Sequence, residues 1–511
     1  MKRTLLFALA LLIIFAAVAI AQEQDEYPSL GADIYFQALF VNQHNFRPSS
    51  GMFGDSMGLA TGNFTNDIDN DFDQVLESRF RFFLKAEITP QIRGRFTLEV
   101  NPEYGHERGF GDFRINNGSS GTGELRIKHF YIEADHLNGN LGYRVGRQGF
   151  GTPQSLIVGD PDAEGITLWG KSDIAGKVTL QAAVVDTNET REIEDIYSHI
   201  RYDAPTINKI STITVYGSSL VIRDLNGGAN NQAPEIDNGG GSSIGRFIMG
   251  PSNVDMPSGS RADLYWAGLQ LTNRVGNFFA EFDAVASLGT VDVGESFHLE
   301  DTDGDGDDEV VYDNKPWNNI KEVRGYTGML ELAYSRAWYR IGAAGAFASG
   351  HVPDPESDVY TGYVDINADF TFTRFFFDGG PYLVTTGFAS PTVQGSGLTA
   401  AKLYFMTNPT YWLEANLQVA GLSAVTDRPQ LDDGVNEYAD AAKNAGKYYG
   451  SEVDLWLVFK PINHINWLLE FDYFQPGDYF AGTGTDVDDP GNGFMESLDP
   501  AWKIGAGFIF Q

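Results

Sequence analysis

Charged side chains recur at every second position within apolar stretches, and that spacing is where this sequence could do chemistry. Arg79, Arg81, Lys85, Arg93, Arg95, Arg126, Lys128, Arg144 and Arg147 cluster in the first third of the chain. Glu281, Asp283, Glu331, Asp365, Asp369, Glu414, Glu452, Asp454, Glu470 and Asp472 follow in later segments. An exposed charge at mid-membrane on a lipid face costs about 2–4 kcal/mol, so in a membrane protein the charged members of such alternations must face a lumen. With strands laid side by side in chain order, the two signs fall on different walls of one pore. Facing walls of opposite sign make a transverse field, which orients dipolar solutes and speeds hydrated ions. The alternative is mutual neutralisation inside a filled barrel with no open path.

Other chemistry is thin. The eight histidines are scattered with no His-x-x-x-His pair, and Gly-x-Ser-x-Gly is absent. Gly239-Gly240-Gly241-Ser242-Ser243 has no following Lys to make a phosphate loop. No enzyme, and no redox or organic cofactor, is expected. The chain has no Cys, which excludes disulfides, thiolate zinc, iron–sulfur clusters and c-type haem attachment. A formal charge of −34 argues against nucleic acid as a partner. Asp301, Asp303, Asp305 and Asp308, with Gly304 and Gly306, resemble the first half of a calcium loop. Tyr312 stands where a helix–loop–helix site needs Glu, so calcium in a surface loop, or a solvated acidic tip, are the two readings.

The elements that would position these groups are strands. Phe80, Phe82, Leu84, Ala86 and Ile88 alternate with Arg79, Arg81, Lys85 and Glu87; Ile465, Trp467, Leu469, Phe471 and Tyr473 alternate with Asn466, Glu470 and Asp472. Alternation over about ten residues is the dyad pattern of outer-membrane strands, longer than the usual five to six of a soluble sandwich. Segment 124–135 needs a bulge near Lys128 to keep its two halves in phase. Short turns at Thr89-Pro90, Asn138-Gly139-Asn140, Asp203-Ala204-Pro205, Asn273-Arg274, Asn408-Pro409 and Pro461-Ile462-Asn463 alternate with long polar connections at 42–73, 102–122, 148–163, 224–260, 289–321, 422–448 and 476–500. The sequence predicts an all-β, transmembrane, antiparallel up-and-down barrel of about 18–20 strands, with short periplasmic turns and long extracellular loops. Segments 164–185, 195–203 and 374–388 are the weakest strand assignments. Loop 224–260 is long enough to fold into the pore and narrow it. Trp and Tyr residues such as Trp266, Trp338, Tyr411, Trp412 and Trp467 suit interfacial girdles.

Lys2 and Arg3, the apolar run Leu5–Ile20 and Ala19-Ile20-Ala21 read as a signal peptide over 1–21. Residues 22–511 then read as one barrel domain, and loss of Lys2 and Arg3 takes the charge from −34 to −36. The C-terminal Lys503-Ile504-Gly505-Ala506-Gly507-Phe508-Ile509-Phe510 resembles the final-strand signal of outer-membrane barrels, with Gln511 as a departure. That resemblance implies recognition by the barrel-assembly machinery. Leu141-Gly142-Tyr143-Arg144-Val145-Gly146-Arg147-Gln148-Gly149-Phe150-Gly151, with Arg126-Ile127-Lys128-His129-Phe130-Tyr131-Ile132-Glu133 before it, resembles the Gly-Arg-Gln segment of the alginate-export porins. The resemblance implies a constriction lined by Arg126, Lys128, Arg144 and Arg147, and an anionic polysaccharide as solute. Arg147 is out of phase with Arg144, so that role needs the strand to end or bulge there. The acidic later wall departs from the family.

The expected function is an outer-membrane porin passing small hydrophilic or anionic solutes. The alternatives are a dedicated alginate-export-like polysaccharide channel, and a plugged barrel serving as surface adhesin or scaffold. Expected partners are outer-membrane lipid and lipopolysaccharide, the latter reached through divalent cations on acidic loops. Resemblance to the porin class implies a homotrimer.

Overall fold

Alternating side chains can satisfy two environments only in extended chain, where successive Cβ atoms point to opposite faces. In the computed structural model of the chain, the described residues are 29–42, 72–101, 103–104, 124–158, 162–184, 196–206, 210–222, 261–292, 297–300, 309–312, 321–351, 357–366, 370–376, 396–426, 446–462, 465–480 and 500–510. They form strands β1 Ser29–Asn42, β2 Phe72–Thr89, β3 Ile92–Asn101, β4 Glu103–Tyr104, β5 Glu124–His136, β6 Leu141–Gly149, β7 Asp162–Ser172, β8 Gly176–Val184, β9 Ile196–Asp203, β10 Ser211–Ile222 and β11 Arg261–Val275. The second half supplies β12 Phe278–Asp292, β13 Phe297–Glu300, β14 Glu309–Tyr312, β15 Glu322–Arg336, β16 Tyr339–Ala348, β17 Val359–Tyr360, β18 Leu398–Thr410, β19 Leu413–Ser423, β20 Tyr448–Ile462, β21 Ile465–Pro476 and β22 Ala501–Phe510.

The main sheet holds 20 strands, of which β4 and β17 are two-residue stubs. The other eighteen run antiparallel to their neighbours in chain order, which settles the expected 18–20 at the lower value. β1 pairs with β2 on one edge and with β22 on the other, from Ile34 opposite Phe510 to Asn42 opposite Trp502. The sheet is thereby left without a free edge. β13 and β14 form a separate hairpin, and the acidic stretch with Asp301, Asp303, Asp305 and Asp308, between them in sequence, lies outside the described residues.

The turns explain the register. Between β5 and β6, Leu137 and Asn138 take φ of 51° and 58° and Gly139 takes 78°, left-handed values that suit Asn and Gly. Two expected turns are displaced. Asn273-Arg274 and Asn408-Pro409 lie inside β11 and β18, and the chain reverses at Gly276-Asn277 and Tyr411-Trp412 instead. Pro409, lacking an N–H, is absorbed by a register shift between Thr407 and Thr410. Segment 164–185 is two strands, β7 and β8, joined at 173–175. Segment 374–388 was expected as a strand, but its described part, 374–376, lies in no strand, for reasons given below.

The surface is inverted relative to a soluble protein. Leu332 is 52% exposed and Leu403 68%, with Phe282, Leu330, Ile341, Leu417, Leu455 and Phe471 likewise outside. Asp283, Glu452, Asp454, Glu470, Asp472 and Lys503 are buried on the opposite faces of the same strands. Outward charges such as Asp263 and Arg324 come at the long-loop ends of their strands. An apolar belt outside and polar groups inside are the requirement for β-strands in lipid. An antiparallel barrel with this exterior is the way proteins cross a bacterial outer membrane, and it places the chain there. No helix among the described residues is long and apolar enough to span a membrane. Leu330→Arg, midway between the outward Arg324 and Arg336 on β15, is expected to destabilise the barrel by about 2–4 kcal/mol. Urea unfolding in lipid vesicles measures that loss; a cost near zero would place Leu330 against water or protein.

Candidate permeation pathway

One side of the lumen is built by β2, β3, β5 and β6. Phe82 is half exposed to the outside, so Arg81, Phe83, Lys85 and Glu87 point inward. Register then sets Arg81 opposite Glu99, Lys85 opposite Arg95 and Glu87 opposite Arg93. Arg81 ion-pairs with Glu99. Arg93 binds Glu133 at 2.7 Å and also Asp135. Arg144 reaches Glu133 at 2.5 Å and lies 4.4 Å from the ring centre of Tyr131. Lys85 and Arg95 sit 5.0 and 5.8 Å from the centre of the Phe83 ring. These groups keep contact with solvent: Lys85 and Arg93 are exposed, and Arg81, Arg95 and Arg144 are half-buried.

The other candidates of the basic set are placed as follows. Thr97 pairs with His129 and Leu98 with Ile127, so Lys128 is the extra residue of a bulge, at the position where the alternation demanded one. Arg79 and Arg126 stand in register with Tyr35 and Glu99. Arg147 alternates with Arg144 and with the buried Gln148, and pairs in register with Glu164 on the exposed face of β7. Gly146 adopts φ of 125°, but pairing continues unbroken through Gly149, so the strand neither ends nor slips at Arg147. The register therefore sets Arg147 on the outward face of β6, not beside Arg144.

The acidic residues of β20 and β21 meet no such open space. Gln418, Asp454, Asp472 and Lys503 form one row across four strands, and Glu452 and Glu470 lie on either side of it. Residues 370–376 lie over them inside the barrel. Glu452 accepts the backbone N–H groups of Arg374, Phe375 and Phe376 at 2.9, 2.6 and 3.0 Å. The Arg374 guanidinium donates twice to Glu470, at 3.1 and 2.8 Å, and stacks 4.5 Å from the Trp456 ring centre. Lys503 donates to the carbonyl of Arg374 at 2.7 Å and lies 2.9 Å from both Glu470 and Asp472. Lys402 donates to the carbonyl of Phe372 at 2.6 Å. Glu452, Asp454 and Asp472 are each 0% exposed.

A second insert follows β6. Residues 150–158 fold inward, and Gln154 donates to Glu281 at 2.6 Å. The two inserts touch: Tyr363 donates to the carbonyl of Leu156 at 2.8 Å, and Ile366 N–H to that of Ile157 at 3.0 Å. Trp266 on β11 caps Val364 O at 2.7 Å, and Ser287 on β12 accepts the Val364 N–H at 3.2 Å. Phe150, Leu156, Ile157, Tyr363, Phe372, Phe375 and Phe376 thus form an apolar core inside the barrel, against β9–β12 and β18–β22. Tyr216 lies flat over Gly268, whose missing Cβ would sit 2.2 Å from the ring, and donates to Asp283 at 2.6 Å. Glu331 engages Arg340 and Tyr404. Glu414 receives Lys460 at 3.1 Å, and Asp365 is buried. Asp369 and loop 224–260 lie outside the described residues. Among the described residues no three His, Cys, Asp or Glu side chains are arranged to hold a metal.

The two walls differ in access. Carboxylates of β20 and β21 are sealed under protein, whereas the cations of β2–β6 still touch water. Sequence reasoning missed both inserts. Phe370-Thr371-Phe372-Thr373 alternates like a strand, but Phe372 through Phe376 are buried without a break. That unbroken burial is possible because the segment is enclosed by barrel wall and by the other insert, and has no lipid face.

No family model matches the sequence, and neither does any curated protein. Solved structures of similar shape include OccK9 (OpdG) of Pseudomonas aeruginosa, with a TM-score of 0.49 at 8% identity over 95% of this chain and 98% of that one. The outer membrane protein OprD from Pseudomonas aeruginosa gives 0.45 at 10% identity over 94% and 93%. The outer membrane channel DcaP of Acinetobacter baumannii gives 0.37 at 10% identity over 94% and 97%.

Proposed function

We propose that the chain is a passive outer-membrane channel for small hydrophilic solutes, with a preference for anions. One observation carries this reading: the buried charges of the lumen are mostly acidic and covered, and the accessible ones on β2–β6 are mostly basic. A solute drifting through meets Lys85, Arg93, Arg95 and Arg144, not Glu452 or Asp472. A low-dielectric apolar core on the opposite side focuses that positive potential into the remaining path. The two inserts occupy lumen volume, which favours small solutes over a polymer such as alginate.

The test is conductance of the full chain in planar bilayers under a potassium chloride gradient. The expected reversal potential has the sign of chloride preference and shrinks between about 0.1 M and 1 M salt, as the screening length falls from about 10 to 3 Å. A potassium preference, or no conductance, overturns the reading.

A further inference from the structure

Three cations of the basic wall already have carboxylate partners. Arg81 has Glu99, Arg93 has Glu133 and Asp135, and Arg144 has Glu133. Lys85 and Arg95 are different. They stand directly opposite each other on β2 and β3, and neither ion-pairs with a carboxylate among the described residues. Glu87, one inward position nearer the turn, is opposite Arg93. Like charges directly across an antiparallel pair are destabilising, because the Cβ atoms stand only about 4.5–5.5 Å apart. Both cations are also held in place. The Phe83 ring lies against each of them, and Arg95 Nε donates to Thr97 Oγ1 at 3.2 Å, which leaves the outer guanidinium nitrogens for a ligand.

Resting on the channel reading above, we propose that Lys85 and Arg95 form a binding station for one tetrahedral dianion, a sulfate or hydrogen phosphate, free or as a monoester. Two uncompensated positive charges within reach of one small group call for two negative ones. A guanidinium fork engages two oxygens of such an anion, and the ammonium supplies a point charge to a third. A carboxylate monoanion leaves one of the two charges unmatched. The neighbouring Arg144, stacked on Tyr131 and paired with Glu133, is committed to the wall and sets its shape.

The test is calorimetric titration of sulfate into the detergent-solubilised full chain in a chloride-free buffer, with acetate and glycerol phosphate as further probes. Wild type is expected to bind sulfate saturably and at least tenfold more tightly than acetate. Lys85→Gln with Arg95→Gln is expected to weaken sulfate at least tenfold. Both side chains contact solvent, so folding should survive, and heat-modifiable gel mobility checks that. Glycerol phosphate binding as tightly as sulfate assigns the site to esters as well as free anions; weaker binding restricts it to free anions. Acetate binding equal to sulfate, no saturable sulfate binding, or unchanged affinity in the double variant overturns the station, whether or not the barrel conducts. Intact sulfate binding in a barrel that passes no current instead overturns the channel reading and leaves the station standing.

Discussion

Replacing Arg81, Lys85, Arg93, Arg95 and Arg144 together by Gln is expected to reverse the sign of the reversal potential, from anion to cation preference. The wall explains why the effect exceeds simple loss. Its described inward side chains are five cations, Arg81, Lys85, Arg93, Arg95 and Arg144, and four carboxylates, Glu87, Glu99, Glu133 and Asp135. The five substitutions leave only carboxylates among those described inward side chains, so their sum turns from net positive to net negative. Glu99, now only 7% exposed, also loses its ion pair with Arg81, and weakening the pairing of a buried carboxylate is costly. Some loss of barrel stability should therefore accompany the switch, and gel mobility must show folded protein before the potential is interpreted. Amide substitutions at Asp454 and Asp472, which leave the Glu452 and Glu470 anchors of residues 370–376 in place, are expected to move ion preference little, because those two groups lie under the segment and meet no ion. An unchanged sign in the fivefold basic variant, or a large shift in preference from the acidic set while the segment stays in place, contradicts the access argument.

The barrel itself was legible because its rule is local. Each strand must alternate, since lipid lies on one side and interior on the other, and Phe82–Ile88 or Trp467–Tyr473 state that alternation without help from the rest of the chain. The bulge at Lys128 could be placed for the same reason: a phase break between two regular halves admits few other solutions. The inserts obey no such rule. Residues 150–158 were visible only as part of a polar connection, and 370–376 imitated a strand because a run of Phe and Thr suits both lipid and a packed interior. What decides between them is the partner. Glu452 and Glu470, nearly 80 and 100 positions later in sequence, supply the acceptors that draw Arg374 and its neighbours inward, and that pairing is long-range. The same blindness affected the acidic wall. Alternation sets Glu452, Asp454, Glu470 and Asp472 on one face of their strands, but only the fold shows that this face is covered. Arg147 differs: pairing runs through it without a break, so it keeps the out-of-phase position relative to Arg144 that its sequence spacing states.

Glu452→Ala is expected to raise single-channel conductance several-fold and to make the current noisy. In the native barrel this one carboxylate accepts three consecutive backbone N–H groups, from Arg374, Phe375 and Phe376. A hydrogen bond to a charged acceptor contributes about 1.5–3 kcal/mol, and an orphaned buried donor costs about 1–3 kcal/mol. Removal of the acceptor therefore takes away a large part of what seats the segment, while the Arg374 N–H keeps Asp454 at 3.3 Å. Arg374–Glu470, Lys503 to the Arg374 carbonyl and Lys402 to the Phe372 carbonyl remain, so the segment is expected to exchange between seated and displaced positions and not to leave outright. That exchange is the source of the noise. Glu452→Gln retains one acceptor oxygen and should fall between wild type and Ala. Adding Arg374→Ala should bring the conductance to a steady high level, because it removes the guanidinium clamp and the Trp456 stack together. Ion preference is the informative companion measurement. If displacement uncovers Asp454, Asp472 and Glu470, chloride preference must fall as conductance rises; a wider pore with undiminished chloride preference would show that these carboxylates were never what the segment conceals.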